Sequence, residues 1–292
     1  MALRFGIHTG QQNTTFSELL ALWQHAEAIG LDWASVFDHF IPIFTDPEGP
    51  CFEGFTVLSA LAAGTKRLRC GIIVSGVTYR NPVLLAKAAT TVDHVSNGRM
   101  ELGLGAAWFE LEHQQYNFDF PSVGTRMDML EEASHIVRSL FREERTTFEG
   151  KHFSVKDALF LPKPVHGSIP LWIGGGGEKR TLRAVARYAD GWNYFLTTPE
   201  DFQRKLGFLE EHCKDAGRKS SEIRKALVVR AILDQDKAAP DEQTFVGSAA
   251  QLVEKLKPFR DLGVEDFLML ARPPKDERTL ELWAGEVRSA LG

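Results

Sequence analysis

The chain has 292 residues, with 34 Lys plus Arg against 39 Asp plus Glu, 43% hydrophobic and 25% charged residues. This is ordinary globular usage: too apolar for a disordered chain, mildly acidic, and without a block of Lys or Arg that would suit a nucleic-acid partner. The opening MALRFGIHTG lacks an apolar signal core, and no apolar run approaches the roughly 18 residues of a membrane span, so a cytoplasmic protein is expected. Cys51, Cys70 and Cys213 lie far apart with no CxxC spacing, which predicts reduced thiols rather than a zinc site or disulfide framework.

Short apolar runs alternate with amphipathic segments along the chain. Residues 4–7 predict a strand, and residues 16–29 a helix with Leu19, Leu22, Trp23, Ala26 and Ile29 at helical spacing and Gly30 as its stop. A second strand is expected over 33–36 and a helix over 55–63, ended by Gly64. The nearly continuous apolar run 68–74 reads as a strand buried on both faces, and Pro82 opens a helix through 95. A strand over 100–104 and a helix over 126–141 close the first half. The second half predicts strands at 171–173, 191–195, 226–233 and 267–270, each followed by a helix, at 179–188, 199–216, 249–262 and 276–291. Eight strand–helix pairs predict an α/β fold with a parallel sheet closed into a (β/α)8 TIM barrel. No composition shift divides it, so one domain over 1–292 is expected, with long excursions at 105–125 and, as an insertion after the fourth helix, at about 145–169.

In such a barrel the chemistry lies at the C-terminal ends of the strands. Four consecutive glycines, Gly174–Gly177, follow the fifth strand; without Cβ atoms, backbone N–H groups at a helix start can approach a phosphate, the alternative being a tight turn. Asp38-His39 ends the second strand, where an imidazole fixed by a carboxylate could act as acid or base; the alternative is an Asp helix cap beside an incidental His. Trp108 and His113, after the small Ala106 and Ala107, read equally well as a wall of a flat-ligand pocket or as loop packing. Gln12 and Tyr79 stand beyond the first and third strands as pocket candidates, and Arg126 could serve a phosphate or an ion pair. The remaining histidines show no ligand spacing, and nothing requires a metal.

Three stretches taken together, AEAIGLDWASVFDHF, GVTYRNPVLLAKAATTVDHVSNGRMELGLGAAWFELEH and IGGGGEKRTLRAVARYADGWN, resemble the luciferase-like monooxygenase superfamily, in particular its deazaflavin-dependent oxidoreductase branch. The resemblance implies a luciferase-like barrel binding coenzyme F420 (8-hydroxy-5-deazaflavin), or FMN as in sister branches, at the strand C-termini. It implies that the ring rests on a bulge, often with a non-prolyl cis peptide, at Ile72, Ile73 and Val74, beside Gly105, Ala106 and Ala107. It assigns the phosphate to Gly174, Gly175, Gly176, Gly177, Glu178 and Thr181, and catalysis to Asp38 and His39. It also implies a homodimer and a small organic substrate, with a separate reductase supplying reduced cofactor in the FMN alternative. A catalytically silent flavin-binding protein is a third reading. Sugar-phosphate dehydrogenases of the branch carry a glutamate where this chain has Trp108, which speaks for an apolar or aromatic substrate.

Overall fold

The computed structural model describes residues 2–273 and 276–292. In chain order the elements are β1 (Arg4–Thr9), α1 (Phe16–Ala28), β2 (Trp33–Val36), α2 (Gly54–Ala63), β3 (Arg69–Gly76), α3 (Pro82–Val95), β4 (Met100–Gly105), α4 (Glu110–Tyr116) and α5 (Val123–Arg142). They continue with β5 (Arg145–Glu149), β6 (Ser154–Leu159), β7 (Leu171–Gly174), α6 (Thr181–Tyr188), β8 (Gly191–Phe195), α7 (Pro199–Asp215), β9 (Arg224–Val229), β10 (Ala231–Ile232) and β11 (Phe245–Val246). The last are α8 (Ala249–Asp261), β12 (Asp266–Ala271), α9 (Glu277–Leu282), a π turn over Trp283–Val287 and α10 (Arg288–Leu291). Eight strands close a barrel in the order β1-β12-β9-β8-β7-β4-β3-β2, with parallel neighbours throughout. The expected (β/α)8 architecture is the observed one. Within it the expected insertion is an ordered hairpin, β5 paired antiparallel with β6. The predicted strand over 226–233 divides into β9 and the short β10, which leaves the barrel to pair with β11.

The helices cap themselves by local chemistry. Thr15 and Glu18 form a reciprocal capping box on α1, Asn81 and Pro82 start α3, and Ser248 with Gln251 start α8. The barrel interior is filled by Trp33, Ile73, Trp172, Ala226, Val228 and Leu268. Trp33 and Trp172 stack at 5.5 Å, with the Arg4 guanidinium 5.2 Å from the Trp33 ring. Below them Glu101 binds Arg4 at 2.7 Å and Arg69 at 2.5 Å, and Asp266 takes Arg4 at 2.5 Å and Arg224 at 2.7 Å. Burial alone would raise the Glu101 pKa, but Arg4 and Arg69 more than offset it and hold the carboxylate below its ordinary range.

Strand β3 departs from regular pairing. Its register against β4 shifts between Ile72 and Ser75, and the Ile73–Val74 peptide is cis. The displaced Val74 side chain needs room over β4 and over β7 beyond it, and glycine supplies it. A Cβ at Gly105 would lie 2.7 Å from Val74 Cγ2, one at Gly103 2.8 Å from Val74 Cγ1, and one at Gly174 3.0 Å from the same atom. At Gly103 it would also meet the Ile72 carbonyl oxygen at 2.6 Å, and backbone cannot give way cheaply. Gly103→Ala is therefore expected to lose about 1–3 kcal/mol of stability in urea unfolding. Gly207, inside α7 with nothing near its missing Cβ, is the control: Gly207→Ala should gain up to about 1 kcal/mol.

Candidate active site

At the mouth of the barrel the organising group is Glu112, on α4 and fully buried. Its Oε1 lies 2.6 Å from His39 Nδ1 and accepts the Tyr79 hydroxyl, while Oε2 accepts the Phe40 N–H at 2.8 Å. Burial pushes the carboxyl pKa up, but the bonds from His39, Phe40 and Tyr79 outweigh it and keep Glu112 below its ordinary value. An ionised carboxylate only accepts, so His39 donates from Nδ1 and its Nε2 is the nitrogen left for other work. The ring is held edge-on to Phe37, Tyr79, Trp108 and Phe109 at centroid distances of 5.3–6.5 Å. Burial and the bond to Glu112 raise the Tyr79 phenol far above its usual pKa, so it stays a donor.

Asp38 does not fix His39. It forms a two-point pair with Arg80, at 2.8 Å and 3.0 Å, and accepts the Ser75 hydroxyl at 2.6 Å. Arg80 also reaches Glu53 at 2.5 Å, and Glu53 caps α2. Consecutive residues leaving a strand point in opposite directions, so adjacent Asp38 and His39 belong to separate pairs. The expected Asp38–His39 unit is corrected to His39–Glu112, with Asp38 tying β2 to the loop after β3. Glu112 is not among the expected site residues because 105–125 is expected as a long excursion without a placed helix. Its signal is a short helix with Glu112 and His113 buried and Leu111 exposed, the reverse of an amphipathic surface helix.

The glycine turn leaves β7 and enters α6. Gly175 has φ +109°, a conformation glycine adopts freely, and its N–H and carbonyl are held by Asn193 and by Trp192 Nε1. The Gly176 carbonyl takes Lys205 Nζ at 3.0 Å. Among the described residues no acceptor engages the N–H groups of Gly176, Gly177 or Glu178. The Glu178 side chain pairs with Arg204 instead of turning to the loop, and Thr181 Oγ1 lies 3.9 Å from Met127 Sδ. Asn193 Oδ1, beside Gly174, is buried with no donor among the described residues.

The other candidates divide. Trp108 stands half-exposed at the rim, stacked on Phe44 at 5.5 Å and edge-on to His39. Ala107 follows β4 with φ +60°, and the Ala106 carbonyl accepts Arg126 Nε at 3.0 Å. Arg126 has no ion pair among the described residues: it holds the Ala106 and Pro121 carbonyls and covers the Phe120 ring. The Gln12 amide donates to and accepts from Ile43, and His113 is bound to Thr78 and to the Phe109 carbonyl. Both are expected to line the substrate pocket; in the structure their polar atoms hold loops, which completes the hydrogen bonding of buried groups. His8, at the end of β1, bonds Ser35 Oγ at 2.9 Å. Burial, Arg272 and His39 in that order lower its pKa to about 4. Among the described residues no three His, Cys, Asp or Glu side chains converge as a metal site, and no helix is long and apolar enough to cross a membrane.

A closed parallel barrel with a bulged β3, a glycine turn after β7 and a carboxylate-held histidine at its mouth places its candidate site at the strand C-termini. The luciferase-like monooxygenase family model matches residues 1–244, and the chain belongs to that family. It is 31% identical over 248 residues to an F420-dependent glucose-6-phosphate dehydrogenase of Microbacterium testaceum, covering 83% of this chain and 72% of the relative. An uncharacterized protein of Mycobacterium tuberculosis is 31% identical over 180 residues, 61% of this chain; the match spans only 62% of that relative's length. Among solved structures, an F420-dependent secondary alcohol dehydrogenase in complex with an F420-acetone adduct superposes with a TM-score of 0.88 over 100% of both chains at 20% identity, a likeness of fold.

Two pH effects follow. Glu112, depressed in the fold, contributes stability that is complete above the unfolded carboxyl pKa of about 4.3 and is lost as pH falls through its folded value. Glu112→Gln should therefore cost about 1–3 kcal/mol at pH 7, with the gap to the parent closing in acid unfolding curves below about pH 4. His8 stays neutral in the fold while the unfolded chain protonates, so the parent should lose about 3 kcal/mol relative to His8→Asn between an unfolded pKa near 6.5 and a folded pKa of about 4.

Proposed function

We propose that the protein is a deazaflavin-dependent oxidoreductase that moves a hydride between coenzyme F420 and a small organic substrate. The observation that carries this reading is the juxtaposition at the mouth of a floor made by the bulged β3, the phosphate-compatible glycine turn and a histidine held by a buried carboxylate. The named activities of the Microbacterium relative and of the superposed alcohol dehydrogenase support it. The residues present fit the cofactor. Gly176, Gly177 and Glu178 offer N–H groups at the start of α6, where an anion is favoured, and Lys179 stands exposed beside them. Asn193 Oδ1 offers an acceptor to a ring N–H, and Ile72–Val74 with Gly105, Ala106 and Ala107 offer close backbone approach. When bound, the deazaflavin supplies a two-electron hydride donor or acceptor at carbon 5 of its ring.

In substrate oxidation, His39 Nε2 takes the hydroxyl proton as the hydride leaves the adjacent carbon; in reduction it returns that proton. Glu112 keeps the proton on Nδ1 in both directions and stabilises the imidazolium between them. Tyr79 and the Phe40 N–H complete the carboxylate's bonding, and Trp108 with Phe44 screens one side of the mouth from water.

The purified protein should quench or shift deazaflavin fluorescence at micromolar concentration; no effect would reject the proposal. Stoichiometric binding of FMN alone would move the reading to a two-component monooxygenase served by a separate reductase. Gly176→Asp places a charge at the turn and a Cβ 2.8 Å from Tyr194 Cζ, and should weaken deazaflavin binding about a hundredfold with circular dichroism unchanged. His39→Ala should slow hydride transfer about 10²–10⁴-fold in single-turnover measurements while leaving the cofactor dissociation constant within about threefold.

A further inference from the structure

Two and three strands round the barrel from the glycine turn, the ends of β9 and β12, with β10 and the loop over 240–244, line a cavity of about 820 Å³. This is the size of a small-ligand site, and Phe44, Ile232, Met269 and Leu280 give it an apolar wall. It adjoins the proposed reaction centre: Phe44 stacks on Trp108, and His8 lies in register with Leu270, another lining residue.

The charges around it are unevenly matched. Arg230 lies 3.6 Å from Asp241 and over the Phe44 ring, and Asp276 lies 3.0 Å from Lys237. Arg272 has no ion pair and no hydrogen bond among the described residues, and its Nε is buried without an acceptor. Burial first, and then the neighbouring Arg230, lower the Arg272 pKa below its ordinary value, and Asp241 offsets them only in part. An unpaired half-buried guanidinium facing a cavity is costly unless a ligand supplies the counter-charge.

We infer that the substrate has an apolar body and one carboxylate, which Arg272 binds as a fork while the reacting carbon faces His39. The inference rests on the oxidoreductase reading above and names its substrate class. A monoanion suits the site better than a phosphate dianion. Of the two guanidiniums lining the cavity, Arg272 alone has no ion pair among the described residues, and Asp241, Glu242 and Asp276 also line it and would repel a second negative charge. Glu242 is exposed, so solvent screens its effect on a single carboxylate.

The test is calorimetric titration of the protein with octanoate, octanamide and inorganic phosphate, in the parent and in Arg272→Gln and Arg272→Lys. The parent should prefer octanoate to octanamide. Arg272→Gln should weaken octanoate about tenfold to a hundredfold and leave octanamide unchanged, and Arg272→Lys should recover part of the loss. Equal binding of octanoate and octanamide by the parent, or full octanoate affinity in a folded Arg272→Gln, overturns the inference. So does phosphate binding more tightly than octanoate in an Arg272-dependent way. Deazaflavin quenching, measured on the same proteins, separates the two proposals. Absent quenching with octanoate preference intact overturns the cofactor reading alone, and normal quenching without octanoate preference overturns this one alone.

Discussion

The mouth of the barrel depends on where one carboxylate finds its donors. Glu112 reaches from α4, beyond β4, to the imidazole and backbone after β2 and to the phenol after β3. Three connecting segments that share no sheet pairing at this point are thereby held to a common centre. A buried carboxylate left without these donors would carry a heavy desolvation cost, so the loops that supply them are as constrained as the strands beneath. Asp38 repeats the device one step deeper, joining Ser75, Arg80 and, through Arg80, the start of α2. The fold thus has charged layers at both ends: the Glu101 and Asp266 network at the base closes the barrel, while the Asp38 and Glu112 network at the mouth orients an imidazole. Between them the stacked Trp33 and Trp172 keep water out of the interior.

The architecture was legible because each strand is short, apolar and followed by a periodic helix, a pattern that few folds satisfy. The glycines were legible as a group, but their purposes were not. Gly174 belongs to the turn and also makes room for Val74, while Gly103 and Gly105 serve the same displaced side chain from β4. Such complementarity is long-range and has no local signature. Adjacency in sequence suggests Asp38 as the partner of His39, whereas the partner lies 73 positions away on a helix that turns Glu112 and His113 inward. Gln12 and His113 were singled out by residue type and position, but their polar atoms are already engaged by Ile43, Thr78 and Phe109, which only coordinates reveal. Carrying the strand-end rule past the sixth strand would have reached Arg230 and Arg272. Their difference, Arg230 in an ion pair and Arg272 in none among the described residues, depends on the loop that brings Asp241 back over the barrel.

The distribution of indoles has an optical consequence. Of the six tryptophans, Trp23, Trp33, Trp172, Trp192 and Trp283 are wholly enclosed, and only Trp108 meets solvent, at 52% exposure. It stands at the entrance, in contact with Phe44 and edge-on to His39. A collisional quencher such as iodide, which cannot enter the packed interior, would therefore extinguish the emission of one indole and leave five shielded. The native chain carries a built-in fluorophore at its own doorway, and occupancy of the site can be followed without attaching a label.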